Sequence, residues 1–218
     1  MFLNNECIRF VDSAKNLGFI LDSDLSFETQ VHKVIKSCFM MLRKLYSIRK
    51  FLNQSQLKSL VCCKIFCKID YCNALYFGLN VATIRKLQHV QNSAARLIIK
   101  RGCPMSLVKF FLESHWLKVR ERILYKIILM VHKCLHLRAP QTLSSLLIYC
   151  ESDRTMKLRE SKVKTRFGTR AFSHAAPKLW NLLPQDIHNQ HKTDVFKKML
   201  KSYLLVNGDN FHSRMNAH

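Results

Sequence analysis

The period of the apolar residues changes once along this chain, and that change restricts the fold more than any single motif. Before Asp22, the runs CIRFV (7–11) and NLGFILD (16–22) carry β-branched and aromatic residues as strands do, and Asp12 with Ser13 reads as the turn between them. Beyond Asp22-Ser-Asp24, apolar positions return about every 3.6 residues, which helices alone accommodate. On a helix over 27–48, with Ser26 as N-cap, Val31, Ile35, Cys38, Leu42 and Leu45 fall within about 40° of one direction. Lys33, Lys36, Arg43 and Lys44 point the other way. Asn53 and Gln56 form a capping-box pattern for a helix over 54–76, closed by Gly78. A helix over 82–100 gathers Ile84, Leu87, Ala94, Ala95 and Ile98 on one side and Arg85, Arg96 and Lys100 on another.

Residues 119–136 differ. Ile123, Leu124, Ile127, Ile128, Met130, Val131 and Leu135 wrap most of that helix, leaving a narrow polar stripe of Arg122, Lys126 and Lys133. A helix apolar nearly all round belongs at the centre of a bundle. A last helix over 193–205 is expected to turn Val195, Phe196, Met199, Leu200 and Leu204 inward, with a fraying tail over 207–218. The fold class expected is mainly α, a helical bundle with a short N-terminal β-hairpin and a basic extended arm. Its divisions are the strands of 1–24, a bundle over 25–150, a basic linker over 151–167 and a C-terminal segment over 168–206.

With only 5 Gly and 4 Pro in 218 residues and 48% of them hydrophobic, the composition argues for a packed core and against disorder. The longest uninterrupted apolar run, Ile127 to Val131, is far below the roughly 18 residues a membrane span requires. MFLNNECIRF lacks the pattern of a secretion signal, so a nuclear or cytoplasmic location is expected. Nine cysteines without a framework then read as reduced, mostly buried thiols. A metal reading of Cys62, Cys63, Cys67 and Cys72 lacks CxxC and a His pair, and His132 with His136 lacks the Glu of HExxH. Neither metal nor cofactor is expected.

Charge separates the chain from an ordinary helical bundle. Lys and Arg number 36 against 14 Asp and Glu, a formal charge of +22. Between residues 29 and 112 there are 15 basic side chains and one acid, Asp70. Solvated helix faces normally carry matching acids at i,i+4, and here they are missing. Such a field favours a polyanion, and nucleic acid fits better than a membrane surface because the apolar faces are needed by the bundle. The candidate phosphate contacts are Lys33, Lys36, Arg43, Lys44, Arg85, Arg96 and Lys100. Between Glu151 and Gly168 the helical period fails, and Lys162, Lys164 and Arg166 alternate with Val163, Thr165 and Phe167 to give an extended arm with one basic edge.

After the arm comes GTRAFSHAAPKLWNLLPQDI (168–187), dense in Pro and aromatic residues. Pro177 suits the first position of a short helix and Pro184 prevents its continuation. Phe172 and Trp180 then read as a latch that docks on the bundle and fixes the arm; Trp180 stacking on a base is the rival reading. For catalysis there is little material. No GxGxxG, P-loop or GxSxG occurs, and Asp22 with Asp24 reads as a turn and helix start.

Six blocks, in order, resemble the C-terminal part of reverse transcriptases from LINE-type (non-LTR) retrotransposons, especially the jockey-like group. They are KNLGFILDSDLSFETQVHKV (15–34), IRKFLNQSQLKSLV (48–61), IDYCNALYFGL (69–79), IRKLQHVQNSAARLI (84–98), SHWLKVRERILYKIILMVHKCLH (114–136) and the 168–187 block. The resemblance implies that residues to about 24 are the last palm strands and that the helices after them are the thumb and the region following it. In that family the catalytic aspartates sit in an upstream YxDD or FxDD motif, and neither occurs here. The resemblance therefore implies a non-catalytic chain of an RNA-directed DNA polymerase, gripping RNA, DNA or their hybrid through basic helix faces, with the polymerase palm as a further partner. A helical protein-interaction scaffold and a functionless retroelement remnant are the alternatives. The chain departs from its relatives at Lys118, where Pro is common, and at Leu137-Arg138, where a Gly is usual.

Overall fold

The first well-defined hairpin begins later than the apolar alternation suggests. In a computed structural model that describes residues 2–3, 6–7, 11–99, 105–150, 157–165 and 167–217, with the backbone alone for 2, 3, 6, 7, 216 and 217, four short strands precede the helices. Strand β1 (Phe2–Leu3) pairs antiparallel with β2 (Glu6–Cys7), and β3 (Ser13–Asn16) with β4 (Phe19–Asp22). Residues 8–10 of the expected strand 7–11 lie outside the described residues. The turn falls on Leu17 and Gly18, with φ of 47° and 87°, and not on Asp12 and Ser13. A two-residue hairpin loop of this twist takes positive φ at both positions, and Gly18 supplies one without strain.

Helix α1 (Glu28–Ile48) starts from a shared cap. The Asp22 carboxylate accepts the N–H groups of Ser26 (3.1 Å) and Phe27 (2.9 Å) and the Ser26 hydroxyl, while Ser26 Oγ accepts the N–H of Glu28 at 3.3 Å. Ser26 is therefore one part of the cap and Asp22 the other. Burial pushes the Asp22 carboxyl up, but these hydrogen bonds outweigh it and hold its pKa below the usual value. The Phe27 ring meets Phe19 edge-on at 5.3 Å, stapling hairpin to helix.

The next helix carries the capping box read from its sequence: Asn53 Oδ1 accepts Gln56 N–H at 2.8 Å and Gln56 Oε1 accepts Asn53 N–H at 3.0 Å. It runs as α2 (Gln54–Val61), a π-helical turn (Cys62–Phe66) and α3 (Cys67–Asp70), and ends six residues before the expected 76. The cause is local. Cys72 takes a left-handed φ of 52°, and Asn73–Tyr76 tightens into a 3-10 turn. Helix α4 covers Val81–Ile98.

The chain divides into two compact units, one of residues 1–72 with 79–98, the other of 73–78 with 99–218. In the first, α1 packs on α4 and on the π turn around Val31, Cys38, Leu42, Val61, Ile65, Leu87 and Val90. Ala94 and Ala95, wholly buried, place no bulk on that face of α4.

In the second unit, α5 (Leu107–Glu113) leads through Trp116, which stands edge-on to Phe110 at 5.2 Å and Phe111 at 6.1 Å, into α6 (Val119–Leu135). Helix α6 is central, contacting α7 (Gln141–Ser144), α8 (Phe172–Asn181), α10 (Thr193–Ala217) and the Asn73–Tyr76 turn. Its Ile123, Leu124, Ile127, Ile128 and Val131 are buried, each removing apolar surface worth about 1.5–3 kcal/mol. Leu137 ends it with φ 53°, the left-handed position a glycine usually fills, and Arg138 N–H closes on Lys133 C=O at 2.8 Å. Helix α9 (Gln185–His188) is one turn.

Helix α10 corrects the expected 193–205 helix and frayed tail, since it continues to Ala217. Tertiary contact holds the extension: Phe211 is buried against Tyr203, Gly208 lies on Glu121, and Asp209 pairs with Lys118 at 3.1 Å. Phe196, Leu200 and Leu204 turn inward as expected, whereas Val195 faces outward. No helix among the described residues is long and apolar enough to cross a membrane.

Candidate nucleic-acid interface

Helices α1 and α4 place two charged ridges side by side. At about 100° per residue, His32, Lys36, Phe39, Arg43 and Tyr46 lie within about 40° of one line on α1, and Arg85, His89 and Arg96 do so on α4. Two contacts join the helices. Lys86 Nζ lies 3.4 Å from His32 Nε2, and because an ammonium only donates, that ring nitrogen is the acceptor. The Phe39 and His89 rings meet at 5.9 Å. Position numbers rise together in both contacts, so α1 and α4 run in the same sense, as the intervening α2–α3 return requires.

Lys33, Lys36, Arg43, Lys44, Arg85 and Arg96 are all exposed, and no ion pair among the described residues engages any of them. Glu28, in the first turn of α1, is the only acid on either helix. A cationic surface without counter-charges attracts a polyanion and repels itself when the anion is absent. Lys100, expected on this surface, lies outside the described residues. Sequence reading missed His32, Lys86 and His89, although Lys86 follows Arg85 directly. Their membership depends on which helix lies alongside, which the α4 pattern does not state. Lys68 of the same unit is spent on a neighbour, donating to Ser37 Oγ at 2.6 Å.

The second unit carries the arm. Residues 157–165 form no helix, and Lys162 and Lys164 are exposed; Arg166 lies outside the described residues. Three side chains hold the arm in place. The Asn181 amide accepts Leu158 N–H at 2.9 Å and donates to Leu158 C=O at 2.8 Å, mimicking a strand partner. His174 Nδ1 donates to Ser161 C=O at 2.7 Å. Pro177 sits inside α8, not at its first position. Without an N–H it leaves Ser173 C=O unpaired in the helix, and the Ser161 hydroxyl reaches that oxygen at 3.4 Å. A proline in mid-helix is thus tolerated because the arm supplies the missing donor.

Trp180 is 0% exposed, with its ring stacked on those of His188 (4.8 Å) and Phe196 (6.0 Å), so at that burial neither face is open to a base. His188 Nε2 donates to Trp180 C=O at 2.8 Å. Phe172 opens α8 half-buried, and Pro184 stands at the start of α9, past the end of α8. Arg170, overlooked in the sequence, donates from Nε to Phe77 C=O at 3.1 Å and lies over Gly78, where a Cβ would stand 2.6 Å from its Cγ. Asn181 and His174 were overlooked for the same reason, because their partners are 13 to 23 residues away.

His132 and His136 stack at 4.2 Å, but their nitrogens serve hydrogen bonds: His132 Nε2 donates to Gln190 C=O at 2.7 Å, and His136 Nδ1 to His132 C=O at 2.8 Å. His136 Nε2 faces His191 Nδ1 at 3.1 Å. Among the described residues, no three His, Cys, Asp or Glu side chains gather as a metal ion would need. No family model, curated protein or solved structure matches the chain.

Proposed function

We propose that this chain is a non-catalytic, thumb-like helical module of the LINE-type reverse-transcriptase kind, and that it binds the backbone of RNA, DNA or their hybrid through the α1–α4 face. One observation carries the reading: six exposed Lys and Arg side chains stand on two adjoining helices with a single acid between them. Backbone gripping needs cations on rigid elements and no base-reading code. The resemblance of six ordered sequence blocks supports the kind of partner. No reaction is assigned, and the Asp22 carboxylate is committed to capping α1.

Fluorescence-polarisation titrations with duplex, hybrid and single-stranded probes test this. If about six phosphates are neutralised, log K falls against log salt with a slope near −5. Charge reversal at Lys36, Arg43 and Arg85 together abolishes most of the affinity and flattens the slope by about 3. Binding indifferent to salt between about 50 and 300 mM refutes the proposal. Tight binding of a protein partner that survives high salt, with weak nucleic-acid affinity, favours the interaction-scaffold alternative instead.

A further inference from the structure

The α1 ridge is not purely cationic. Along one line it reads His32, Lys36, Phe39, Arg43, Tyr46, and the next position on that line, Lys50, is the middle residue of the 3-10 turn of Arg49–Phe51. Charged and aromatic side chains therefore alternate at about one helical turn, and Phe39 and Tyr46 stand about 10 Å apart with Arg43 between them. The rings become more open toward the C-terminal end. Phe39, beside His89, is half-buried, Tyr46 is 54% exposed and Phe51 is 75% exposed, the most open Phe, Tyr or Trp ring among the described residues. Lys50 Nζ lies 4.9 Å from the centre of the Phe51 ring, over its face. No Asp or Glu occurs from residue 29 to 69.

We infer that the C-terminal end of α1 and the turn after it form a stacking platform for unpaired bases, so that the α1–α4 face takes single-stranded nucleic acid in preference to duplex. This rests on the nucleic-acid reading above and names the form of polymer that reading leaves open. In a duplex the base faces are hidden in the stack, and only the cations of the ridge find partners. A single strand brings phosphates and free base faces together, and the alternation of Arg43, Tyr46, Lys50 and Phe51 offers a partner to each. Stacking is indifferent to base identity, since every base has a π-face, so no sequence preference is expected. The sugar makes no difference to a ring-on-ring contact, and RNA and DNA strands bind alike at this platform.

The test compares single-stranded RNA, single-stranded DNA and duplex probes of about 16 nucleotides, within the site sizes such surfaces occupy. Tyr46→Ala with Phe51→Ala is expected to weaken single-strand binding about 100-fold, roughly tenfold per ring, while duplex binding changes less than about threefold and the salt slope stays as in the parent. Both side chains are exposed, and an unchanged thermal melt verifies that the variant folds. With Tyr46 retained, Phe51→Trp keeps the single-strand affinity, and its fluorescence is quenched by single strand and not by duplex; Phe51→Leu loses about tenfold. Equal loss of single-strand and duplex binding, or no loss of either, overturns the platform while leaving the backbone reading intact. Absence of binding to every probe by the parent protein overturns both.

Discussion

Replacing Trp180 by Ala separates a residue that holds the second unit together from one that touches a ligand. The side chain is fully buried against the His188 and Phe196 rings, so truncation leaves a cavity and removes two aromatic contacts. Buried Trp→Ala changes lower stability by about 3–5 kcal/mol, of which the two ring pairs account for roughly 0.5–1.5 each. At about 2.1 cal/mol/K per residue, the roughly 126 residues of this unit have an unfolding entropy near 0.26 kcal/mol/K. The expected fall in Tm is therefore about 11–19 °C. Circular dichroism at 222 nm during heating is the assay, with nucleic-acid affinity measured on the same sample below the transition. Trp180→Phe keeps a ring against His188 and loses less than half as much. A melt shifted by under about 4 °C, together with lost binding, refutes the argument and makes Trp180 a ligand contact.

Burial lowers the pKa of His132, His188 and His212, the last, beside the Arg120 and Lys118 charges, to about 4. The unfolded rings bind protons near 6.5 and the folded ones do not, so the stability these rings contribute is full above about pH 6.5 and is lost as pH falls below it, for His212 toward pH 4. For the partly buried His212 the difference, reduced by solvent screening, is about 1–2 kcal/mol; His212→Leu flattens that limb of a urea-unfolding series, and an unaltered limb refutes it. Burial raises the Glu121 carboxyl instead, and its contribution runs the other way, lost as pH rises above 4.5, so Glu121→Gln steepens the same limb. Gly208→Ala puts a Cβ 2.7 Å from Glu121 Cγ and is expected to lower stability by about 1–3 kcal/mol in denaturant titration. Leu137→Gly relieves a left-handed φ of 53° at an exposed position and raises stability by about 1 kcal/mol by the same measurement. Asn181→Ala removes both hydrogen bonds to Leu158, lowers stability by about 1–3 kcal/mol and speeds limited proteolysis within residues 157–165.

What the sequence determined by itself was set mainly by neighbours three or four residues apart. The helical period of α1, α4 and α6, the Asn53–Gln56 capping box and the all-round apolar surface of α6 are interactions within one turn, and side-chain type alone reports them. The excess of cations over residues 29–112 was equally plain, because charge requires no fold to be counted. Element ends were less legible. The α2–α3 helix stops at Asp70 through a left-handed Cys72 that no glycine announces, and α10 runs to Ala217 because Phe211 finds a buried place. Tertiary structure alone decided which ridge lies beside which. His32 meets Lys86 across 54 residues, Arg170 reaches Phe77 across 93, and Pro177 survives in mid-helix because Ser161 lends a hydroxyl. Such contacts depend on chain segments brought together only when apolar faces collapse, and a periodicity read along one helix carries no information about its neighbour.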